Sequence, residues 1–135
     1  MVKRNRILQL IANAVKSIPY IKTVEVDRIN AVDITKTSLP AIFIYGGNDK
    51  SIDDVIGMET WDWEISVEVW AKGKDMEDIL ADIHKKLHAI NGKTGEINTI
   101  TRTSSEMFVV DPTKLIKGML LKYSVIYRNP LGDMS

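Results

Sequence analysis

Between residues 61 and 70 the chain alternates without a break. Trp61, Trp63, Ile65, Val67 and Val69 fall on one side of an extended backbone, and Asp62, Glu64, Ser66 and Glu68 fall on the other. A period of two over this length fits a strand with one buried face and does not fit a helix. The fold must therefore lay something apolar against that face.

Two amphipathic helices can supply it. Ile7, Leu8, Ile11, Ala14, Val15 and Ile18 recur with helical spacing, and Pro19 stops that helix because the residue before a proline is pushed out of the helical region. Met76, Ile79, Leu80, Ile83, Leu87 and Ile90 form a second stripe. Asp75 with Asp78 predicts a capping box at its start, and Gly92 after Asn91 predicts its stop.

The remaining segments read as strands. Residues 23–27 alternate, residues 39–45 are apolar on both sides, and residues 97–103 are Thr-rich. A short piece follows at 107–110 before Asp111-Pro112, and residues 115–128 form one long run. The order α–β–β–β–α–β–β predicts an α+β fold, a mostly antiparallel sheet with both helices packed on one face. The length of 135 residues suits a single domain over residues 1–135. Residues 46–58 are acidic and turn-rich and are predicted to be the longest loop. Loops carry contacts more often than cores do, which makes Asp49, Asp53, Asp54, Ile56 and Met58 candidates for meeting a partner.

Composition removes several function classes. Cysteine is absent, so there are no disulfides, thiolate metal sites, iron–sulfur clusters or cysteine nucleophiles. Eighteen basic residues balance eighteen acidic ones, unlike the clear basic excess of a general nucleic-acid binder. The charge is nevertheless polarised: residues 1–28 carry six basic and two acidic groups, residues 29–75 four and nine, and residues 112–135 four and one. Lys3, Arg4 and Arg6 precede an apolar run, but Gln9, Asn13 and Lys16 interrupt and close it, which does not suit a secretory signal. No stretch approaches the roughly 18 apolar residues of a membrane helix. The expectation is a soluble chain made in the cytoplasm, with no membrane partner.

The residue patterns that carry chemistry are weak. His84 and His88 are four apart on one helix, the spacing of a shared metal, but Lys85 stands where a zinc protease needs glutamate. Gly92-Lys-Thr94 contains the tripeptide of a phosphate loop, yet Leu87 occupies the place of the required glycine and the helix precedes rather than follows. Asp49, Asp53 and Asp54 lack the alternating spacing of a calcium loop. Glu64 and Glu68 line one strand face, as solvent-facing carboxylates commonly do, and no Gly-x-Ser-x-Gly elbow occurs. The reading is a protein that is not an enzyme and needs no cofactor, with no catalytic and no metal residue assigned.

Apolar surface is more telling. Trp70 points away from Trp61 and Trp63, onto the acidic face. Phe43 and Tyr45 lie in the doubly apolar strand, and Leu120 and Ile126 lie on the second face of the last one. One sheet face cannot hide all of this, so Phe43, Tyr45, Trp70, Leu120 and Ile126 are candidates for a subunit interface.

The block order itself resembles a known family. A basic amphipathic helix leads to a short strand and then to Leu39-Pro-Ala-Ile-Phe-Ile-Tyr45. An acidic segment, the aromatic strand 61–70, and a helix containing Ile79-Leu-Ala-Asp-Ile-His-Lys-Lys-Leu87 follow. The last strand ends Leu121-Lys-Tyr-Ser-Val-Ile-Tyr-Arg128. This is similar to the tail terminator (tail completion) proteins of long-tailed bacteriophages. The resemblance implies a small subunit of a hexameric ring that caps the tail tube, ends polymerisation and offers the head a joining surface. It implies as partners further copies of the chain, the tail tube protein and a head completion or connector protein, with DNA passing through the lumen unread. The location implied is the head-proximal end of the virion tail. Two other readings remain open: another phage neck or head–tail connector subunit, and a small cytoplasmic ligand-binding α+β domain.

Overall fold

The computed structural model describes residues 3–28, 36–55, 57–91 and 97–130, excluding the side chains of 53–55 and 130. Helix α1 spans Lys3–Lys16, followed by β1 (Thr23–Val26), β2 (Ala41–Val55) and β3 (Met58–Lys72). A 3-10 turn, Gly73–Asp75, leads into α2 (Met76–His88), and β4 (Thr99–Asp111) and β5 (Ile116–Pro130) complete the chain. The five strands form one sheet in the order β1-β2-β3-β5-β4. Only β1·β2 is parallel; every other pair is antiparallel. The fold is α+β, as the periodicities predict.

The core is a single layer between the helices and one sheet face. Ile7, Leu8, Ile11, Ala12 and Val15 of α1 and Met76, Ile79, Leu80, Ile83 and Leu87 of α2 are buried. They pack on Trp63, Ile65, Val67 and Val69 of β3, on Ile42 and Ile44 of β2, and on Leu121, Tyr123, Val125 and Tyr127 of β5. The alternation at 61–70 thus puts its apolar set inside, with Trp61 half-buried at the margin. Burying aliphatic side chains of this kind contributes about 1.5–3 kcal/mol each, which is why the stripes and the alternation dominate local preferences.

Three local expectations are corrected. The loop expected at 46–58 is strand over 46–55: β2 continues to Val55 and β3 begins at Met58, so the acidic segment belongs to the far half of a β-hairpin. Register shifts at Gly46/Asp49 and Ser51/Asp54 absorb its turn-prone residues without ending the ladder. The capping box also fails. Asp75 closes the 3-10 turn in a right-handed helical conformation and makes no side-chain cap bond, because a capping residue needs an extended backbone. Finally, the segments expected at 97–103 and 107–110 merge into one strand, Thr99–Asp111, joined through a shift between Arg102 and Ser104. The predicted stop at Gly92 lies outside the described residues.

β1 is only four residues long and covers β2 from Ala41 to Ile44. Its end is fixed by Asp27, at φ 51°, which donates its N–H to the Ile44 carbonyl at 2.7 Å and accepts from the Gly46 N–H at 3.2 Å through its side chain. Beyond Ile44, β2 has no strand on its outer side among the described residues, and neither has β4.

Candidate interface surfaces

The sheet face away from the helices carries the predicted interface residues, and strand register decides which of them meet. Trp70 stands opposite Ala41 on one side and Gly118 on the other, and Gly118 stands opposite Phe108. Both neighbours of Trp70 are small, and the Phe108 ring takes the space beside Gly118. Phe43 meets Trp70 edge-on, with ring centroids 5.5 Å apart. Phe43 is 1% exposed, so it is buried within its own chain and supports the patch rather than forming its surface. That corrects its place among the interface candidates. Tyr45 and Leu120 are half-buried on the same face. Ile126 is half-buried too, but it lies eight residues along β5 from Gly118, roughly 26 Å at about 3.3 Å per residue, and belongs to a separate area.

Burial on this face shifts two ionisable groups. The Glu68 carboxyl is pushed up by loss of solvent, and the nearby Trp70 indole N–H pulls it partly back. That N–H is buried and makes no hydrogen bond of good geometry. The Tyr45 hydroxyl is pushed up by burial first and then by the Glu68 charge, with Arg28 opposing. Arg28 itself holds Glu25 at 2.6 Å. Further along the same face Ser124 donates to Asp62 at 2.6 Å, and Glu64 lies 3.9 Å from Lys122. Glu64 and Glu68 therefore occupy the carboxylate-bearing strand face expected of them.

The acidic hairpin is tied to α1. Arg4 Nε donates to the Tyr127 hydroxyl at 2.7 Å, and its Nη2 is paired with Asp49. The same guanidinium lies 5.0 Å from the Trp63 ring centroid, and 6.0 Å and 5.9 Å from those of Trp61 and Tyr127. Trp63 Nε1 donates to the Gly47 carbonyl at 3.1 Å. Met58 is half-buried and pairs with Pro130 at the hairpin end. Ile56 and the side chains of Asp53 and Asp54 lie outside the described residues.

The weak chemical patterns do not converge. His84 and His88 are both exposed, with ring centroids 6.2 Å apart, and His88 Nδ1 contacts the Asn91 amide at 3.3 Å. Among the described residues no three His, Asp or Glu side chains are grouped to hold a metal ion, and no helix is long and apolar enough to cross a membrane. Gly92-Lys-Thr94 lies outside the described residues.

Sequence reasoning missed one feature. At the β4–β5 turn a groove of about 620 Å³ opens beside the 3-10 turn, floored by Val109, Pro112, Leu115 and Ile116 and rimmed by Lys72, Lys74, Lys114 and Lys117. The available signal was Leu115 amid turn residues, an apolar side chain where solubility favours a polar one.

No family model matches this chain, and no curated protein does. Among solved structures, a chain in the virion of a native gene transfer agent particle is similar to it at 13% identity and a TM-score of 0.47, over 88% of this chain and 84% of that one.

Proposed function

We propose that this chain is a structural virion protein, a tail terminator that assembles as a ring of six copies on the end of a phage tail tube. In that role it stops tube growth, presents a surface to a head completion or connector protein, lets DNA pass unread, and catalyses nothing. Its place is the head-proximal end of the tail.

The observation that carries this reading is the pair of unlike open edges. Among the described residues no strand pairs with the outer side of the far half of β2 or of β4, two edges on opposite sides of one sheet that side chains meet at Gly46 and Ile100. Long open edges are templates for another chain, and natural monomers normally shorten or cover them. Two different edges on one subunit define a heterologous contact, which closes into a ring when the rotation per subunit allows it. The block order of the sequence and the aromatic patch around Trp70 agree with this reading.

Light scattering across a concentration series, without and with purified tube ends, tests it. The expected mass is near 91 kDa, six times 15.2 kDa, followed by rings in electron micrographs. A chain that stays at 15.2 kDa under both conditions overturns the reading.

A further inference from the structure

We propose that the lysine-rimmed groove at the β4–β5 turn receives the Ile52 segment of a second copy of this chain. The inference rests on the ring reading and names the contact that would build it.

Leu115 is the first reason. It adopts φ 58° and is 73% exposed. The left-handed region is unfavourable for leucine, and glycine or asparagine would sit there more easily. Among the described residues little covers the side chain in return, which points its use outside the protomer. Val109 is exposed and lines the groove with it, and Met107 is exposed two residues back along β4 on the same sheet side. Leu115 and Val109 line the groove together with four lysines, and no carboxylate is among its lining residues.

The occupant follows from what remains. Among the described residues the only other exposed large hydrophobic is Ile52, at 43%. It lies in a stretch of the sequence, residues 49–54, with one lysine and three aspartates, of which Asp49 is held by Arg4 of its own chain. An apolar residue among acids is the complement of an apolar floor among lysines, and such pairing fixes register and selects the partner.

Position completes the match. The hairpin end is where Met58 pairs with Pro130, and the groove is where Lys72 pairs with Ile116, at opposite ends of the β3·β5 ladder. One copy can then give and receive at the same time, as a head-to-tail contact requires.

The absence of cysteine makes the test clean. Chains carrying Ile52→Cys are mixed with chains carrying Leu115→Cys under mild oxidation, since a disulfide forms only where the two backbones come close. Mixed dimers are expected at about tenfold the yield of either variant alone, the gain that closeness at a docked contact gives over random collision. Mixed dimers at the statistical share overturn the contact, and rings seen by light scattering in that case leave the ring reading standing. A monomeric wild type with no mixed dimers removes both. Protection of Leu115→Cys from thiol labelling only when a tube or head partner is added, with no mixed dimer, assigns the groove to that partner and overturns the second copy as occupant. Leu115→Gly separates contact from folding: its melting temperature is expected to hold or rise while assembly weakens. Unchanged assembly in that variant also overturns the proposal.

Discussion

The ring of Phe108 fills the space that a side chain at Gly118 would need, its Cζ only 2.2 Å from where a Cβ would stand. Trp63 does the same to Gly46, at 2.5 Å. The two substitutions are expected to differ. Phe108 sits on an edge strand and can swing aside, so Gly118→Ala should cost about 1 kcal/mol. Trp63 is buried and its indole is bonded to the Gly47 carbonyl, so Gly46→Ala should cost about 2–3 kcal/mol. Urea unfolding of both variants checks the ranking.

Arg4 joins α1, the acidic hairpin and β5 through one guanidinium. Arg4→Ala should lower stability by about 1–2 kcal/mol, because it loses a partly exposed ion pair, a hydrogen bond and the stacking on Trp63 together. Arg4→Lys should restore little of this, since an ammonium cannot reproduce the planar fork. Amide exchange over residues 46–51 should quicken in both variants more than exchange in β3.

Two tyrosines on β5 predict opposite outcomes. The Tyr123 hydroxyl is buried without a hydrogen-bond partner among the described residues, and burial raises its pKa to about 12. Removing an unsatisfied buried hydroxyl relieves its desolvation, so Tyr123→Phe should stabilise by about 1 kcal/mol. The Tyr127 hydroxyl accepts from Arg4, and Tyr127→Phe should destabilise by about the same amount. Thermal and urea unfolding of the pair decide this.

Glu68 predicts a pH dependence. Its folded pKa lies above the ordinary 4.5, so the native state holds its proton more tightly than the unfolded state does. Stability contributed by this group is therefore present below the ordinary pKa and is lost as pH rises through the folded one. Glu68→Gln should raise the melting temperature near neutral pH and leave it unchanged below about pH 4, where both states are protonated. An equal rise at both pH values contradicts the assignment.

Trp70 predicts a separation of folding from assembly. Its indole lies on the face away from the core, against Phe43. Trp70→Glu should give a folded subunit with native circular dichroism that no longer forms rings. Normal ring formation in this variant removes Trp70 from the interface.

How far the sequence discloses this structure depends on where the energy lies. The stripe from Met76 to Leu87 and the alternation from Trp61 to Val69 are readable because each buries most of one face, and burial overrides weaker local preferences. The far half of β2 is not readable. Gly46, Gly47, Asn48 and Asp49 have the composition of a turn, and what holds them extended is distant: Trp63 on Gly47 and Arg4 on Asp49. The interface candidates divide the same way. Two-sided apolarity marks Phe43, but only the register that brings Trp70 beside it decides that Phe43 is covered. The groove escapes because its lining comes from the end of β3, the 3-10 turn and the β4–β5 turn, which are far apart in sequence.

The first helix and the last strand meet at one end of the sheet, where the Lys3 ammonium donates to the Arg128 carbonyl at 2.6 Å. A fluorophore or affinity tag fused before residue 3 or after residue 130 therefore reports from the same pole of the molecule, away from the β4–β5 turn. In a ring joined hairpin to groove, such labels would recur once per subunit beside each contact, and their spacing around the circumference would report how many copies close the ring.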